Sequence, residues 1–500
     1  MGLGRSYSVA VTGVRGDIIG VQADIGQGLP SITVTAASGL AETKDRVRAA
    51  IMNAGTQLPD RRIILAIEHD HPGNGGIHDL AVAAAILDAA HVFPPQRTRR
   101  TVFLGELCLD GRLRRCAGLL PAVLAARRHH HPVVVVPEQA LDEVAAVEGI
   151  EVLGAPDLRT VIAWLRDERS LPTPAPARYD YPAPRTDLAD LASHPDARRA
   201  LEIAAAGGVH MAILGPSGSG KTLLAQCLPG ILPPLTRDQA LEVAAVHSTA
   251  ATPREPALSL LPPYCAPHHS TSVAAMFGGG SSMARAGEAA RAHHGVLFLD
   301  DAAQWPSRVL DSLPPVCDHQ RVVLGHRGRT VAFPARVQML AASAWCPCDA
   351  PTDAECRCQP VSGRRHRAWR TSAWADRIDI WIALDPIDAA LSEADTEPSA
   401  VVRERVMAAR DAAAQRWQSY GYVRNADVPG SVLRQQFRLP AATTTAIEAA
   451  LHAGSLSARG ADSILRLAWT IRDLRGGDIP DKHDVAAALA LRAQPQRPTT

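Results

Sequence analysis

Lysine is nearly absent from this 500-residue chain: Lys44, Lys221 and Lys482 are the only three, although Lys and Arg together number 52. Positive charge is therefore carried by arginine, and each lysine stands out. Aromatic residues are also scarce, at 4%, so Ala, Val and Leu must fill the cores. No apolar run approaches the roughly 18 residues of a membrane-spanning helix, and no membrane partner is expected. The net charge of +1 excludes a whole-chain polycation, so any nucleic-acid binding must come from local patches. The opening "MGLGRSYSVAVTG" lacks the apolar core of a secretory signal. Its Gly2 and Ser6 match the loose myristoylation pattern, which short sequences often meet by chance. Nine cysteines without such a signal read as reduced thiols of a cytoplasmic protein.

A chain of this length carries several cores. Residues 1–165 alternate strand-like and helix-like stretches. "SYSVAVTGV" and "DIIGVQADI" read as paired strands, and "AETKDRVRAAIMNAG" sets Val47, Ala50, Ile51 and Ala54 on one helical face. Residues 166–186 are rich in Pro and Ala and read as a semi-rigid extended linker. Residues 187–390 return to alternating strand and helix, as an α/β nucleotide-binding domain does. Residues 391–500 read as helical. No internal repeat of fixed period is present.

One motif carries chemistry at once. Gly215-Pro216-Ser217-Gly218-Ser219-Gly220-Lys221-Thr222 satisfies G-x-x-x-x-G-K-[ST], between the apolar "MAIL" and the helical "LLAQCL". The glycines let backbone N–H groups turn toward phosphate oxygens, and the helix N-terminus adds favourable partial charge. Lys221 is placed for the β- and γ-phosphates of ATP, and Thr222 for Mg²⁺. Further on, "GVLFLDDAAQW" ends an apolar strand in Asp300, the usual second support for the metal. Asp301 follows where a Glu is expected to polarise the attacking water.

The resemblance to a known family runs along almost the whole chain. "ARRALEIAAAGGVHMAILGPSGSGKTLLA", "APHHSTS", "GEAARAHHGVLFLD", "CPC" at 346–348, "DRIDI" at 376–380 and "LSARGADSILRLAWTIRDL" resemble the magnesium-chelatase-like AAA+ proteins of the YifB/ComM type. "RVRAAIMNAG", "DLAVAAAIL" and "LGELCLDGRLRRCAGLLPA" resemble that family's first domain. The resemblance implies an S5-domain-2-like (Lon-like) α/β domain, then a P-loop AAA+ parallel-sheet domain, then a C-terminal helical lid. It further implies a homo-hexameric ring and a role in DNA branch migration. It carries no protease claim, because a Ser–Lys dyad would be needed and residues 68–80, "EHDHPGNGGIHDL", hold neither.

Three departures from the family pattern fall on hydrolysis. The family's "LDE" is "LDD" here, so Asp301 replaces Glu. The family's "AAMNPCPC" is "AASAWCPC", so Ala344 replaces a polar Asn. Ser463 stands where the family commonly has an Arg that touches nucleotide. Arg377, after Asp376, remains a candidate arginine finger for a neighbouring subunit; its alternative is an ion pair with Asp376 or Asp379.

Cys346, Cys348, Cys356 and Cys358 form a tight group that one structural Zn²⁺ could gather, with ordinary reduced thiols as the alternative. His268 and His269 follow Pro267, either for a pore or as a buried pair. "GRRHRAWR" (363–370), "RTRR" (97–100) and "RRHHH" (127–131) are basic, and Trp369 adds an aromatic suited to stacking. The expected function is an ATP-binding, ring-forming DNA remodeller with weak or partner-dependent hydrolysis. The alternatives are a nucleotide-gated scaffold without motor activity and, third, a chelatase-type ATPase subunit.

Overall fold

The computed structural model describes residues 2–34, 41–67, 75–191, 194–250, 258–280, 283–326, 328–350, 352, 354–385 and 396–497. The first part of segment 68–80 and the boundary expected near 390 lie outside these residues.

The first domain is built on a mixed seven-stranded sheet. Its order is Ser31–Val34, Arg62–Ile67, Arg15–Gly26, Gly2–Thr12, Thr101–Phe103, Val133–Pro137, Glu151–Ala155. Gly2–Thr12 and Arg15–Gly26 form a hairpin closed by two residues. Gly13 supplies the positive φ (+64°) that so tight a turn requires. Exposed and covered residues alternate along Arg15–Gly26, as expected of a strand with one face on a core. Val21, Ala23 and Ile25 meet Val47, Ala50 and Ile51 of helix Ala41–Asn53. Every residue of helix Asp79–Ala89 is buried, which explains why it is apolar except for Asp79, paired with Arg46, and Asp88, which accepts from the Arg5 N–H.

The Pro/Ala-rich segment is less free than its composition implies. Leu171 is buried in the first domain's core, and the Gly154 N–H donates to the Pro172 carbonyl at 2.8 Å. Tyr179–Asp180 then pairs in parallel with Leu258–Ser259 of the next domain. The segment is thus fastened at both ends.

The second sheet is entirely parallel, in the order Tyr264–Cys265, Val296–Leu299, Gln338–Ser343, Met211–Leu214, Ile380–Ala383. Its three central strands are buried throughout, as parallel strands covered on both faces must be. The first strand in sequence lies between the fourth and the fifth. All five C-terminal ends therefore open on one edge, where ligands of such sheets bind.

Helices Ser399–Trp417, Ala441–His452, Ala458–Arg475 and Lys482–Arg492 form the C-terminal region. They share an apolar core with helices Pro195–Gly207 and Lys221–Ile231 of the parallel-sheet domain. The fully buried Trp417 anchors this core, and its indole N–H donates to Asn425 Oδ1 at 2.8 Å. The first domain is joined as closely: the Gly118 N–H donates to the Ser248 carbonyl at 2.8 Å, and Ala245 is buried in the first domain's own core. Among the described residues, no helix is long and apolar enough to cross a membrane.

Candidate nucleotide site

The glycine loop leaves the tip of Met211–Leu214 and enters helix Lys221–Ile231. Gly218 (φ +77°) and Gly220 (φ +86°) take left-handed conformations, which glycine reaches without cost. The Lys221 ammonium donates to the carbonyls of Gly215 (3.0 Å) and Pro216 (2.6 Å), folded back on its own loop. Burial lowers the Lys221 pKa, and the carboxylates of Asp349, Asp300 and Asp301 oppose that shift. Ser219 Oγ is buried against the loop without a hydrogen-bond partner among the described residues. Thr222, exposed at the helix start, donates its hydroxyl hydrogen to Asp300 Oδ2 at 3.1 Å. The sheet order brings this pair together although 78 positions separate them. An exposed hydroxyl beside a carboxylate is a hard oxygen set of the kind Mg²⁺ prefers. The residues present fit a nucleotide phosphate with its metal: a glycine cradle, an ammonium and two oxygen ligands.

Asp300 is fixed from behind, because the Trp305 indole N–H donates to its carbonyl at 2.9 Å. Asp301 is exposed and left-handed (φ +48°, ψ +51°), a conformation that Asp tolerates better than most side chains. Ala344 follows the tip of the adjacent strand and presents only its carbonyl, which accepts from His366 Nε2 at 3.0 Å. A contact missed by sequence reasoning lies one turn on. Both Asp349 carboxylate oxygens accept from the Ser217 N–H of the glycine loop, at 2.9 and 2.8 Å.

The other expected site residues are elsewhere. Arg377 and Ser463 lie at the opposite edge of the sheet. Asp379 precedes the strand Ile380–Ala383 and is bonded to His210, which precedes Met211. The four-residue strands put roughly 13 Å between that edge and the glycine loop. The Ser463 hydroxyl donates to Asp379 there, so position 463 does not touch the phosphate loop of its own chain. Arg377 pairs with neither Asp376 nor Asp379; its partner is Asp318, which also receives Arg459.

The four clustered thiols converge. Sγ–Sγ separations are 3.2 Å for Cys346–Cys348, 3.8 Å for Cys348–Cys356 and 3.9 Å for Cys346–Cys356, and Cys358 belongs to the same group. A tetrahedral ion with Zn–S bonds of about 2.3 Å needs edges of about 3.8 Å. The thiols share hydrogen bonds, so their titration is uneven: the bond from Cys346 lowers the Cys348 pKa to about 6, whereas Cys346 and Cys358 are pushed up, the first mainly by burial and the second mainly by its bond with Cys348.

Glu242, His293 and His294 also meet, but as a hydrogen-bonded trio. His293 Nδ1 accepts from the Arg336 N–H at 3.0 Å. Its Nε2 therefore carries the proton and donates to Glu242 at 3.2 Å, leaving no lone pair there for a metal. His268 is exposed and His269 half-buried, with ring centroids 4.0 Å apart, so they are not a buried pair.

Trp369 is not the stacking platform its sequence neighbourhood implies. It is only 4% exposed, packed against Trp381 and Trp374, because burying an indole outweighs its use at the surface. In the first domain, Ser8 Oγ and His78 Nδ1 lie 2.8 Å apart. Both residues are almost wholly buried, out of reach of any peptide substrate.

A parallel sheet in this order, opening on a glycine loop and backed by a helical region, defines an α/β AAA+-like fold with a helical lid. Residues 187–391 match the family described as magnesium chelatase, subunit ChlI; residues 396–492 match its C-terminal region, and residues 21–140 match subunit ChlI of Mg-chelatase. The chain is 43% identical over 497 residues to an uncharacterised protein of Mycobacterium tuberculosis, covering 98% of this chain and 99% of that one. It is 32% identical over 502 residues to the uncharacterised protein YifB of Escherichia coli (99% and 97% covered). It is likewise 32% identical over 504 residues to the competence protein ComM of Haemophilus influenzae (99% and 98% covered). The chain belongs to the YifB/ComM family of magnesium-chelatase-like proteins.

Proposed function

We propose that this chain binds ATP with Mg²⁺ through Gly215–Thr222 and Asp300, assembles into a homo-hexameric ring, and remodels DNA with slow or partner-dependent hydrolysis. The observation that carries the reading is the Thr222–Asp300 contact beside the folded-back Lys221. It joins a phosphate cradle and a metal support that the sequence keeps far apart. Bound Mg²⁺ would supply charge neutralisation at the phosphates; Thr222 and Asp300 would hold it. Lys221 then exchanges its two loop carbonyls for phosphate oxygens.

Weak turnover follows from what stands beside that cradle. Asp301 is shorter than Glu by one carbon–carbon bond, about 1.5 Å, and a misplacement of about 1 Å can cost about 10²-fold in rate. Ala344 offers no polar side chain, and loss of one transition-state stabiliser costs roughly 10²–10³-fold. Arg377 lies on the edge opposite its own phosphate loop, where a ring would present it to a neighbour. The competence label of the Haemophilus relative supports DNA as the substrate. So do Arg99, Arg100, Arg128, Arg364 and Arg367, all exposed. Trp369 is withdrawn from that surface, so contact there is with phosphates, without base stacking. The cysteine group would hold one structural Zn²⁺.

The scaffold reading, in which ATP drives assembly only, is favoured by the combined loss at Asp301 and Ala344. Phosphate release measured with and without forked DNA separates the two. Turnover above that of Lys221→Ala is expected; none under any DNA condition would leave the scaffold.

A further inference from the structure

The peptide between Pro216 and Ser217 is gripped from both sides. Its carbonyl accepts from the Lys221 ammonium at 2.6 Å, and its N–H donates to both carboxylate oxygens of Asp349, at 2.9 and 2.8 Å. In a trans peptide these two groups point opposite ways, so Asp349 stands on the side of the loop away from the ammonium. A nucleotide that draws Lys221 off the Pro216 carbonyl therefore leaves the Asp349 contact in place. The outer edge is otherwise open: Ser217 and Gly218 are exposed, and a Cβ at Gly218 would meet nothing within 4 Å among the described residues. Asp349 is in turn placed by the cysteine group. It follows Cys348, its N–H donates to the Cys346 carbonyl at 3.0 Å, and its backbone is left-handed (φ +53°). The Arg497 guanidinium, near the end of the chain, donates to the carbonyl of the next residue, Ala350. A metal ion held by Cys346 and Cys348 would fix the turn that aims Asp349. Without it, the thiols of Cys346, Cys348 and Cys356 are joined by S–H hydrogen bonds, which are weak.

We propose that Asp349 is a positioning residue through which a metal ion in the cysteine group holds the glycine loop in its binding form. Metal occupancy then raises nucleotide affinity, and by reciprocity bound nucleotide retains the metal. The inference rests on the nucleotide and zinc readings above. A loop already held at its outer edge loses less freedom when nucleotide arrives. One hydrogen bond to a charged group supports a change of roughly tenfold in affinity.

The test is titration with fluorescently labelled ATP in excess Mg²⁺ of wild type and Asp349→Ala, each loaded with zinc and each stripped of it. The Kd of wild type should rise roughly tenfold on loss of zinc. Zinc-loaded Asp349→Ala should show the same rise, and stripping it should add less than about threefold. Asp349→Asn keeps the left-handed turn and an acceptor oxygen, so it should stay within about threefold of wild type. Asp349→Gly relieves the backbone and serves if the Ala protein folds poorly. Saturating ATP should slow zinc transfer to a chromogenic chelator in wild type and not in Asp349→Ala. A wild-type Kd that is the same with and without zinc, or a zinc effect undiminished in Asp349→Ala, overturns the coupling and leaves the nucleotide reading standing. So does a wild-type protein that takes up no zinc. No binding of ATP to zinc-loaded wild type overturns both.

Discussion

The Arg377 guanidinium is clasped by the Asp318 carboxylate, with Nη2 2.5 Å from Oδ2 and Nε 3.1 Å from Oδ1. Burial pushes the Asp318 pKa up, but hydrogen bonds from Arg377 and Arg459 outweigh it and hold the carboxyl below its usual range. Arg377 is therefore pre-positioned, and it is on the face that cannot serve its own chain. Arg377→Ala should lower ATP turnover about 10³-fold and leave the nucleotide Kd within about threefold. Mixing Arg377→Ala with Lys221→Ala should restore part of the turnover, since a Lys221→Ala subunit keeps the Arg377 that its Arg377→Ala neighbour's intact glycine loop needs. Failure of the mixture to exceed its components would place Arg377 outside the reaction.

Asp301 combines a short reach with a left-handed backbone. Glu restores the reach but suits that conformation less well. The double change Asp301→Glu with Ala344→Asn should raise steady-state phosphate release by at least about 10²-fold. Asp301→Glu alone should fall short of that. Rates equal to wild type in the double variant would mean that these positions do not face the attacking water.

The cysteine group should hold one equivalent of zinc per chain, read by elemental analysis of protein purified without chelator. Cys348→Ser combined with Cys356→Ser should lower it to near zero. A wild-type protein with far less than one equivalent would leave four ordinary thiols.

The trio at Glu242 gives a pH signature. Burial, and then His293, lower the His294 pKa from 6.5 to about 4, so the fold prefers the neutral ring. The unfolded chain binds the proton more readily. The stability contribution is therefore full above about pH 6.5 and is lost as pH falls toward 4. Hydrogen bonding from His293 lowers the Glu242 pKa from 4.5 to about 2, so its loss falls in a lower window, from about 4.5 to 2. Urea midpoints measured from pH 7 to 4.5 should drop for wild type and flatten for His294→Gln. Parallel curves for the two proteins would assign the acid sensitivity to other groups.

Much of this molecule was readable in its residues. The glycine loop, the strand ending in Asp300 and the helix with Val47, Ala50 and Ile51 inward are local patterns, and periodicity reports them. The cysteine group was legible because its four members fall in one short stretch. What escaped depends on how distant segments meet. Asp349 belongs to no motif, and only the insertion of strand Gln338–Ser343 beside Met211–Leu214 carries it to Ser217. Asp318 is 59 positions from Arg377, so the expected partners Asp376 and Asp379 were only the nearest in sequence. Ser463 was expected at the nucleotide, but a lid helix can lie against either edge of a sheet, and its residues do not say which. Trp369 was judged by its basic neighbours, while three indoles packing together decided its place.

The shared packing of Ala245 with the first domain has a consequence for inheritance. Where two modules meet through a flexible tether, recombination can exchange one without harm to the other. Here a residue of the parallel-sheet domain is an interior residue of its neighbour, and Ser248 accepts that neighbour's Gly118 amide. A foreign first domain would have to match those atoms on arrival. Such a lineage is expected to diverge by compensating single changes across the seam, with its two halves inherited as one unit.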